Sequence, residues 1–432
     1  MTPSPTPLDL AHARSLDAAD PLAALREEFV FPDLPGGSGA SGAHEPVYLA
    51  GNSLGLQPRG ARILVNEALD DWGRLGVEGH TRAKNAWLPY HELVTDSMAR
   101  VVGALPSEVV VMNTLSVNLH LMLVSFYRPT ATRHRILVEA GAFPSDQYAV
   151  DSQVRFHGFE PAEAVVELRP REGESTLRPE DILARIATEG EQLALVMLGN
   201  VNYLTGQAFD IRAITQAAHA VGAQVGFDLA HGAGNLHLSL HEDGPDFAVW
   251  CSYKYLNAGP GGIAGCFVHE RHAHRTDLPR FEGWWGHDKA SRFAMPRQFV
   301  PLAGAEGWQL SNPPILQLAS LRASLALFDR ATMPALRRKA VQLTGYLETL
   351  LDTLPPGACT VVTPRDPAQR GTQLSLRLRG NFRNALAFFE ERGVVADFRE
   401  PDILRVAPVP LYTRFADVHR CVQVIHAFAD SN

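Results

Sequence analysis

The fold is decided by the stretch Phe247-Ala248-Val249-Trp250-Cys251-Ser252-Tyr253-Lys254, which the glycine cluster Gly259-Pro260-Gly261-Gly262 follows closely. Five apolar residues lead directly into Ser252-Tyr253-Lys254, as a buried strand leads into the turn after it. An earlier apolar run ends in the same way, in Asp228-Leu229-Ala230-His231. The sequence therefore predicts one buried strand with a lysine just beyond its carboxyl end and another with an aspartate at its own.

This pair of residues has a specific chemical use. An enzyme that employs pyridoxal 5'-phosphate (PLP) needs a lysine to form a Schiff base with the cofactor, and an aspartate to keep the pyridine nitrogen protonated. The protonated ring then accepts electrons from the substrate. For an isolated Ser-Tyr-Lys triplet the alternative is a lysine that merely caps a strand. Lys254 and Asp228 together favour a PLP site.

Length and composition narrow the class of protein. A chain of 432 residues exceeds the size at which one core usually stops growing, so two domains are expected. The net charge of −8 provides no basic stripe for nucleic acid, so no such partner is expected. The first residues lack the basic start and apolar stretch of a signal peptide, and no run approaches the roughly 18–20 apolar residues of a membrane helix.

The four cysteines are scattered along the chain and include no C-x-x-C pair. This distribution is typical of a reduced cytoplasmic enzyme and does not favour a zinc site or any other metal site. We therefore expect a cytoplasmic enzyme with no membrane partner.

The arrangement of apolar runs indicates an α/β fold. Continuous apolar strands at 109–112, 135–139, 193–198 and 224–228 are separated by helices, which include 61–75, 117–126 and 211–221. Continuous rather than alternating apolar strands are typical of a mostly parallel sheet with helices on both faces. Chemistry then belongs at the carboxyl ends of the strands, where Phe143, Asp228 and Lys254 are expected.

The character of the chain changes after about residue 315. Helices at 315–330 and 334–351 precede short strands at 372–378, 394–397 and 404–407, with helices at 383–392 and 416–429. We predict a large cofactor-binding domain at 61–314 and a small α+β domain at 315–432. Residues 1–60 form an N-terminal segment with a helix at about 21–29 and a flexible glycine- and proline-rich loop at 32–46.

A phosphate site is predicted where a strand gives way to a helix, in the segment 113–118. The first amides of a helix have no internal partners and attract an anion, and Ser116 adds a hydroxyl donor. The alternative is an ordinary helix N-cap.

Four further side chains have functional and structural interpretations. Phe143 stacks on a cofactor ring or is a core residue at a turn. His231 supports Asp228 or belongs to a polar turn, and Tyr253 binds phosphate and donates a proton or packs at an interface. Arg405, within an apolar run, grips a substrate carboxylate or forms an internal salt bridge.

Several longer strings resemble kynureninase, an enzyme of PLP fold type I and the class V aminotransferase-like group. They are YLAGNSLGL at 48–56, VNLHL at 117–121, FPSD at 143–146, YLTGQ at 203–207, GWWGH at 283–287, SNPPI at 311–315 and RVAPVPLY at 405–412. Because these strings occur in order from 48 to 412, the resemblance covers nearly the whole chain.

The resemblance implies a homodimer with an active site at each dimer interface, to which the segment 1–60 contributes contacts. It implies that Leu115, Ser116 and Tyr253 contact the phosphate, and that Phe143 stacks on the ring within the segment Phe143, Pro144, Ser145 and Asp146. Thr205 would lie close to the ring, Asp228 and His231 at its nitrogen, and Lys254 at its aldehyde. Trp284 and Asn312 would come from the neighbouring subunit, and Arg405 would hold the substrate carboxylate.

The implied reaction is hydrolysis of the Cβ–Cγ bond of L-kynurenine or 3-hydroxy-L-kynurenine. The products are L-alanine and anthranilate or 3-hydroxyanthranilate, in tryptophan catabolism or NAD biosynthesis. Lys254, Tyr253 and Asp228 would be catalytic. His80, Ser311 and Asn312 would lie near the substrate's aromatic ring, where polar groups favour a 3-hydroxyl. For His80 the alternative is a residue that merely caps a loop. A cysteine desulfurase or an aminotransferase of the same fold is the alternative.

Overall fold

The structure is a computed structural model, which describes residues 9–33, 45–379 and 385–431. Most of the loop predicted at 32–46 lies outside the described residues, as do the first two residues of the helix predicted at 383–392. Among the described residues, no helix has both the length and the apolar character that crossing a bilayer requires.

The described α-helices, in chain order, are α1 Leu10–Ala18, α2 Arg59–Leu75, α3 Gly79–Arg82, α4 Glu92–Val102, α5 Leu115–Phe126, α6 Pro144–Phe156, α7 Pro161–Ala164, α8 Pro179–Glu189, α9 Ile211–Ala220, α10 Leu240–Asp243, α11 Ile315–Ala331, α12 Met333–Leu351, α13 Ala385–Glu390 and α14 Phe415–Asp430. The strands are β1 Phe29–Val30, β2 Val47–Tyr48, β3 Gln57–Pro58, β4 Val109–Val111, β5 Arg135–Glu139, β6 Val165–Leu168, β7 Leu193–Gly199, β8 Gln224–Asp228, β9 Phe247–Trp250, β10 Gly265–Val268, β11 Cys359–Val361, β12 Leu374–Leu378, β13 Val394–Val395, β14 Asp397–Arg399 and β15 Ile403–Val406.

A seven-stranded sheet forms the centre of the molecule, in the order β4-β10-β9-β8-β7-β5-β6. Strand β10 is antiparallel to both of its neighbours, and the other pairings are parallel. Strands β8 and β9 are buried nearly throughout because helices cover both faces of the sheet. The predicted α/β fold with a mostly parallel sheet is confirmed.

The topology brings four chain segments to one edge of this sheet. Strands β5, β7 and β8 are neighbours and end at Glu139, Gly199 and Asp228, respectively. Strand β9 lies beside β8 and ends four residues before Lys254. This edge is therefore where the sheet can build a site.

A second, antiparallel sheet has the order β11-β12-β15-β14 and packs on α1, α12 and α14. In the N-terminal segment, β2 pairs in parallel with β13 as a separate two-stranded sheet, and Ala50 forms a bridge with Ala407, the residue after β15. Helix α11 shares the apolar core of the large sheet, where Leu318 and Leu321 are buried. The domain limits at 60 and 314 remain predictions.

The helix predicted at 21–29 is wrong. A 3-10 helix covers Ala23–Glu28, and the chain then extends as β1, which pairs with β3. The reason is tertiary packing, because the Phe29 ring is buried edge-on against Tyr412, 5.1 Å between centroids. Contacts of this kind override local helix preference.

A buried acid supports the opposite edge of the large sheet. The Asp246 carboxylate, just before β9, accepts hydrogen bonds from the Val225 N–H (2.7 Å), His219 Nε2 (3.0 Å), His272 Nε2 (2.8 Å) and Arg271 (3.0 Å). Burial alone would raise the pKa of Asp246, but hydrogen bonds from His219 and His272 hold it below its ordinary value.

We predict that Asp246→Asn lowers the free energy of unfolding by about 3 kcal/mol, because cationic and N–H donors lose a buried acceptor. Since the native pKa is depressed, the carboxylate stabilises the protein fully above its unfolded pKa of about 4 and progressively less below it. Urea unfolding followed by tryptophan fluorescence measures the difference.

The matched control is Asp243→Asn, which removes a carboxylate paired with the largely exposed Arg212. A loss below about 1 kcal/mol is expected there. Equal small losses in both variants would contradict the role assigned to Asp246.

Candidate active site

One cavity lies at the carboxyl edge of the large sheet, with a volume of about 160 Å³. Nine of the residues predicted from the sequence line it: Leu115, Ser116, Phe143, Ser145, Asp146, Asp228, His231, Tyr253 and Lys254. Six further residues complete the lining: Glu139, Gly199, Val201, Tyr203, Ala230 and Cys251.

Lys254 lies among a histidine and two aromatic rings. Its Nζ is 3.1 Å from His231 Nε2, 5.7 Å from the centroid of the Phe143 ring and 5.9 Å from that of Tyr253. Burial, with the positive charges of Lys254 and Arg405, holds the pKa of His231 well below its ordinary value. The imidazole is therefore neutral at ordinary pH.

Asp228 and Asp146 form a carboxyl–carboxylate pair beside this lysine. Asp228 Oδ1 accepts the Ala230 N–H at 2.6 Å, and Ser145 Oγ donates to Asp146 Oδ1 at 3.1 Å. Burial raises the pKa of both acids, and the charge of Asp228 raises that of Asp146 further. The hydrogen bond between the two acids raises the pKa of Asp146 further and lowers that of Asp228, and the charge of Lys254 also acts to lower the pKa of Asp228.

Glu139 is a third buried acid in the cavity and was not among the predicted site residues. Burial raises its pKa to about 7, and the negative charge of Asp228 acts in the same direction. Asn202 Nδ2 donates to Glu139 Oε2 at 2.9 Å. The signal that would have found Glu139 is its position, because it ends a buried strand as Asp228 does.

The amino end of α5 points into the cavity through Leu115 and Ser116. Its N-cap residue, Thr114, makes no side-chain hydrogen bond to the helix. First-turn amides without a capping side chain provide donors and a positive field, which suit a phosphate group.

Phe143 stands at the rim of the cavity, 44% exposed, with its ring edge-on to Tyr203 at 5.2 Å. It is the N-cap residue of α6, and Pro144 is the first residue of that helix. Pro144 does not line the cavity, but its fixed φ suits a helix start and so helps to position Phe143.

Arg405 and Thr205 lie behind the cavity wall. Arg405 is 1% exposed, donates from Nη1 to the Tyr203 carbonyl at 2.7 Å and forms an ion pair with Asp397. Its Nε is buried without a hydrogen-bond partner, so the guanidinium retains a donor for a further anion. Thr205 Oγ1 donates to Asn202 Oδ1 at 3.1 Å.

Besides Pro144, Thr205 and Arg405, four predicted residues do not line the cavity within one chain. The His80 ring packs edge-on against Trp87, 5.4 Å between centroids. Trp284 is 40% exposed, and Ser311 and Asn312 are also exposed.

The cavity suits a group with the charges and shape of PLP. Asp228 offers a carboxylate for a cationic ring N–H, the amino end of α5 offers amides for a phosphate, and Lys254 offers an amine. His231 Nδ1 is a buried ring nitrogen without a protein partner. These features point to a bound group that completes the site.

Comparison with known proteins identifies the family. The family model "Kynureninase C-terminal domain" matches residues 336–425. The kynureninase of Myxococcus xanthus (strain DK1622) is 66% identical over 417 residues, which cover 96% of each chain. That of Xanthomonas campestris pv. campestris (strain B100) is 58% identical over 426 residues, 98% of this chain and 99% of the relative.

Solved structures share the fold at low sequence identity. A mutant of the cystine C-S lyase C-DES, with glycine covalently linked to its PLP cofactor, has a TM-score of 0.75 and 16% identity over 91% of this chain and 99% of its own. The Escherichia coli cysteine desulfurase CsdA has a TM-score of 0.75 and 17% identity, over 95% of this chain and 98% of its own. The likeness to these two solved structures shows the fold alone. The identity to the two kynureninases over nearly the whole chain shows the family. By that full-length identity of 58–66%, this chain belongs to the kynureninase family.

Proposed function

We propose that this chain is a PLP-dependent hydrolase that cleaves the Cβ–Cγ bond of L-kynurenine or its 3-hydroxy form. The products are L-alanine and anthranilate or 3-hydroxyanthranilate. The single observation that carries the proposal is the cavity in which Lys254 and the Asp228 carboxylate face each other next to the uncapped end of α5. Full-length identity to kynureninases supports the choice of substrate.

The cofactor is held at three points. The first amides of α5, with the Ser116 hydroxyl and Tyr253, bind the phosphate, and Phe143 covers one face of the ring. Asp228 accepts a hydrogen bond from the ring nitrogen, and its pairing with Asp146 keeps it in place. Lys254 would supply the amine that holds the cofactor through its aldehyde.

When bound, PLP supplies an aldehyde for the substrate amine and a cationic ring that stabilises negative charge at the substrate Cα. Lys254 Nζ would take the proton from the substrate Cα and return it before alanine leaves. Neutral His231, 3.1 Å away, keeps this amine oriented. Water adds to the substrate's γ-carbonyl, the Cβ–Cγ bond breaks, and Tyr253 delivers a proton to Cβ.

Arg405 is proposed to hold the substrate α-carboxylate. Its side chain is buried, and its Nε–H has no protein partner. Tyr203, whose carbonyl it contacts, lines the cavity. A guanidinium with an unpaired buried donor favours an anionic ligand. The ion pair with Asp397 is compatible with this role, because it orients the guanidinium.

A desulfurase reaction would need a reactive thiolate. Burial raises the pKa of the Cys251 thiol in the cavity to about 11, and those of Cys359 and Cys421 to about 12. Cys266 is fully buried, and its pKa is raised as well. These thiols are protonated at neutral pH, which argues against that alternative.

The proposal predicts that Lys254→Ala lowers kcat by at least about 1,000-fold, because the attachment point and the base at Cα are lost together. Anthranilate fluorescence measures turnover, and the absorbance of the bound cofactor reports its attachment. The control is Lys84→Ala, which removes a surface lysine paired with Glu67 and should keep wild-type turnover. Comparable turnover in the Lys254 variant would contradict the proposal.

We infer that the active unit is a homodimer in which Trp284 and Asn312 complete the partner's cavity. Both are exposed in the single chain and lie away from its own cavity. Three large apolar side chains on α2 and the turn after it support a partner surface: Ile63 is 67% exposed, Trp72 62% and Val77 80%.

Shared sites predict complementation between two inactive variants. Lys254→Ala and Asn312→Ala each lack one half of the site, so a hybrid dimer has one intact site and one site with both defects. After mixed refolding at equal amounts, activity should return to about a quarter of the wild-type value. Sites built within one chain would give no recovery.

The ring-binding residues are inferred to favour a 3-hydroxyl. His80, Ser311 and Asn312 offer polar groups, and a site with such groups penalises a substrate that leaves them unpaired. We predict that kcat/KM for 3-hydroxykynurenine equals or exceeds that for kynurenine. A strong preference for kynurenine in a direct comparison would contradict this.

A reduced cytoplasmic location is inferred from the four cysteines, each of which is a free thiol in the structure.

A further inference from the structure

A short loop lies between the two sheets, at residues 200–207, immediately after β7. The Asn202 side chain shapes it, since Oδ1 accepts the Leu204 N–H at 2.9 Å and the Thr205 N–H at 2.8 Å. Asparagine side chains stabilise turns in this way, by binding backbone groups a few residues ahead.

On one side, this loop is tied to the wall of the cofactor cavity. Asn202 Nδ2 donates to Glu139 Oε2 at 2.9 Å, and Glu139 is 5% exposed at the end of β5. The backbone approaches closely here, because a Cβ on Gly199 would lie 2.9 Å from Glu139 Oε1. The loop therefore has little freedom to shift relative to the large sheet.

On the other side, polar side chains of the second sheet bind the carbonyl groups of the same loop. The Tyr203 carbonyl accepts from Arg405 Nη1 at 2.7 Å and from Gln373 Nε2 at 3.0 Å. The Leu204 carbonyl accepts from Ser375 Oγ at 2.5 Å. Hydrogen bonds at both ends of the loop, joined by its backbone from Asn202 to Tyr203, thus connect Glu139 with Arg405.

We propose that Glu139 and Asn202 are positioning residues that aim Arg405 at the substrate carboxylate. The inference rests on the proposed role of Arg405. Of the guanidinium donors, Nη1 binds Tyr203, Nη2 binds Asp397 and Nε has no protein partner. Because the guanidinium is planar and rigid, the contacts of Nη1 and Nη2 fix its orientation, so the position of the Tyr203 carbonyl sets where the Nε–H points.

The required precision is high. A displacement of about 1 Å at a positioned group can lower catalytic efficiency by up to about 100-fold, although the group itself is unchanged. Releasing Asn202 from Glu139 frees the loop and the carbonyl on which Arg405 rests. Affinity for any ligand with an α-carboxylate should fall, whereas the cofactor contacts at α5, Asp228 and Lys254 remain.

Two variants break the link from opposite ends. Glu139→Leu removes the acceptor, and Asn202→Ser keeps an oxygen for the turn but is too short to reach Glu139. Each should raise the Kd of L-alanine, read from the cofactor absorbance, and the KM of kynurenine about tenfold, with kcat within about threefold. The Kd of PLP itself should change less than about threefold.

Glu139→Gln tests whether the bond or the charge matters, since a glutamine oxygen still accepts from Asn202. Its Kd for L-alanine should stay within about twofold of the wild type. Glu108→Gln is the matched control, since Glu108 is equally buried but binds the Leu105 and Glu270 amides at the other edge of the sheet. If Glu139→Leu does not fold, Asn202→Ser alone decides the question.

A double-mutant cycle with Arg405→Lys tests the route. Arg405→Lys should raise the Kd of L-alanine at least about tenfold, and adding Asn202→Ser should raise it little further, because both changes act through one group. Three results would each overturn the inference. In the first, the increases in the Kd of L-alanine from Arg405→Lys and Asn202→Ser multiply in the double variant. In the second, Asn202→Ser leaves that Kd unchanged, and in the third, Glu139→Gln raises it as much as Glu139→Leu does.

The same cycle separates this inference from the proposed function. If Arg405→Lys weakens L-alanine and Asn202→Ser does not, only the positioning role is lost. If Arg405→Lys has no effect on either L-alanine or kynurenine, the proposed role of Arg405 fails and the positioning role fails with it.

Discussion

The site depends on a buried carboxylate that faces an amine. Asp228 ends a strand whose residues are almost all buried, and a carboxylate in such surroundings is costly unless a cation or strong donors compensate it. The protein supplies the Ala230 N–H, and the Asp146 carboxyl and the charge of Lys254 both act to lower the pKa of Asp228. The buried Asp228 carboxylate at the cavity therefore favours a bound cationic ring.

Much of this arrangement could be predicted from the order of residues. The continuous apolar runs that became β5, β7, β8 and β9 predict a parallel sheet, and parallel strands deliver their carboxyl ends to one edge. Asp228 and Lys254 therefore had to approach each other. The position of Glu139 at this edge follows from the same argument, but Glu139 is not part of the sequence strings that resemble kynureninase. The helix predicted at 21–29 was wrong because Phe29 is drawn into a distant core contact.

Other features could not be predicted because they join residues far apart in the chain. The partner of Glu139 is Asn202, and the partner of the Tyr203 carbonyl is Arg405 on the second sheet. No periodicity or local motif encodes these pairings. They arise from the way in which the loop after β7 is held between the two sheets, where backbone carbonyls must find donors. The same loop gives the cofactor cavity a physical connection to the arginine proposed to bind substrate.

The most direct test of the account is a crystal structure of the protein loaded with PLP. The account predicts a covalent bond between Lys254 Nζ and the cofactor's aldehyde carbon, and about 2.8 Å between the ring nitrogen and an Asp228 carboxylate oxygen. It also predicts the phosphate at the amino end of α5. A ring bound elsewhere, or turned so that its nitrogen lies away from Asp228, would contradict the account.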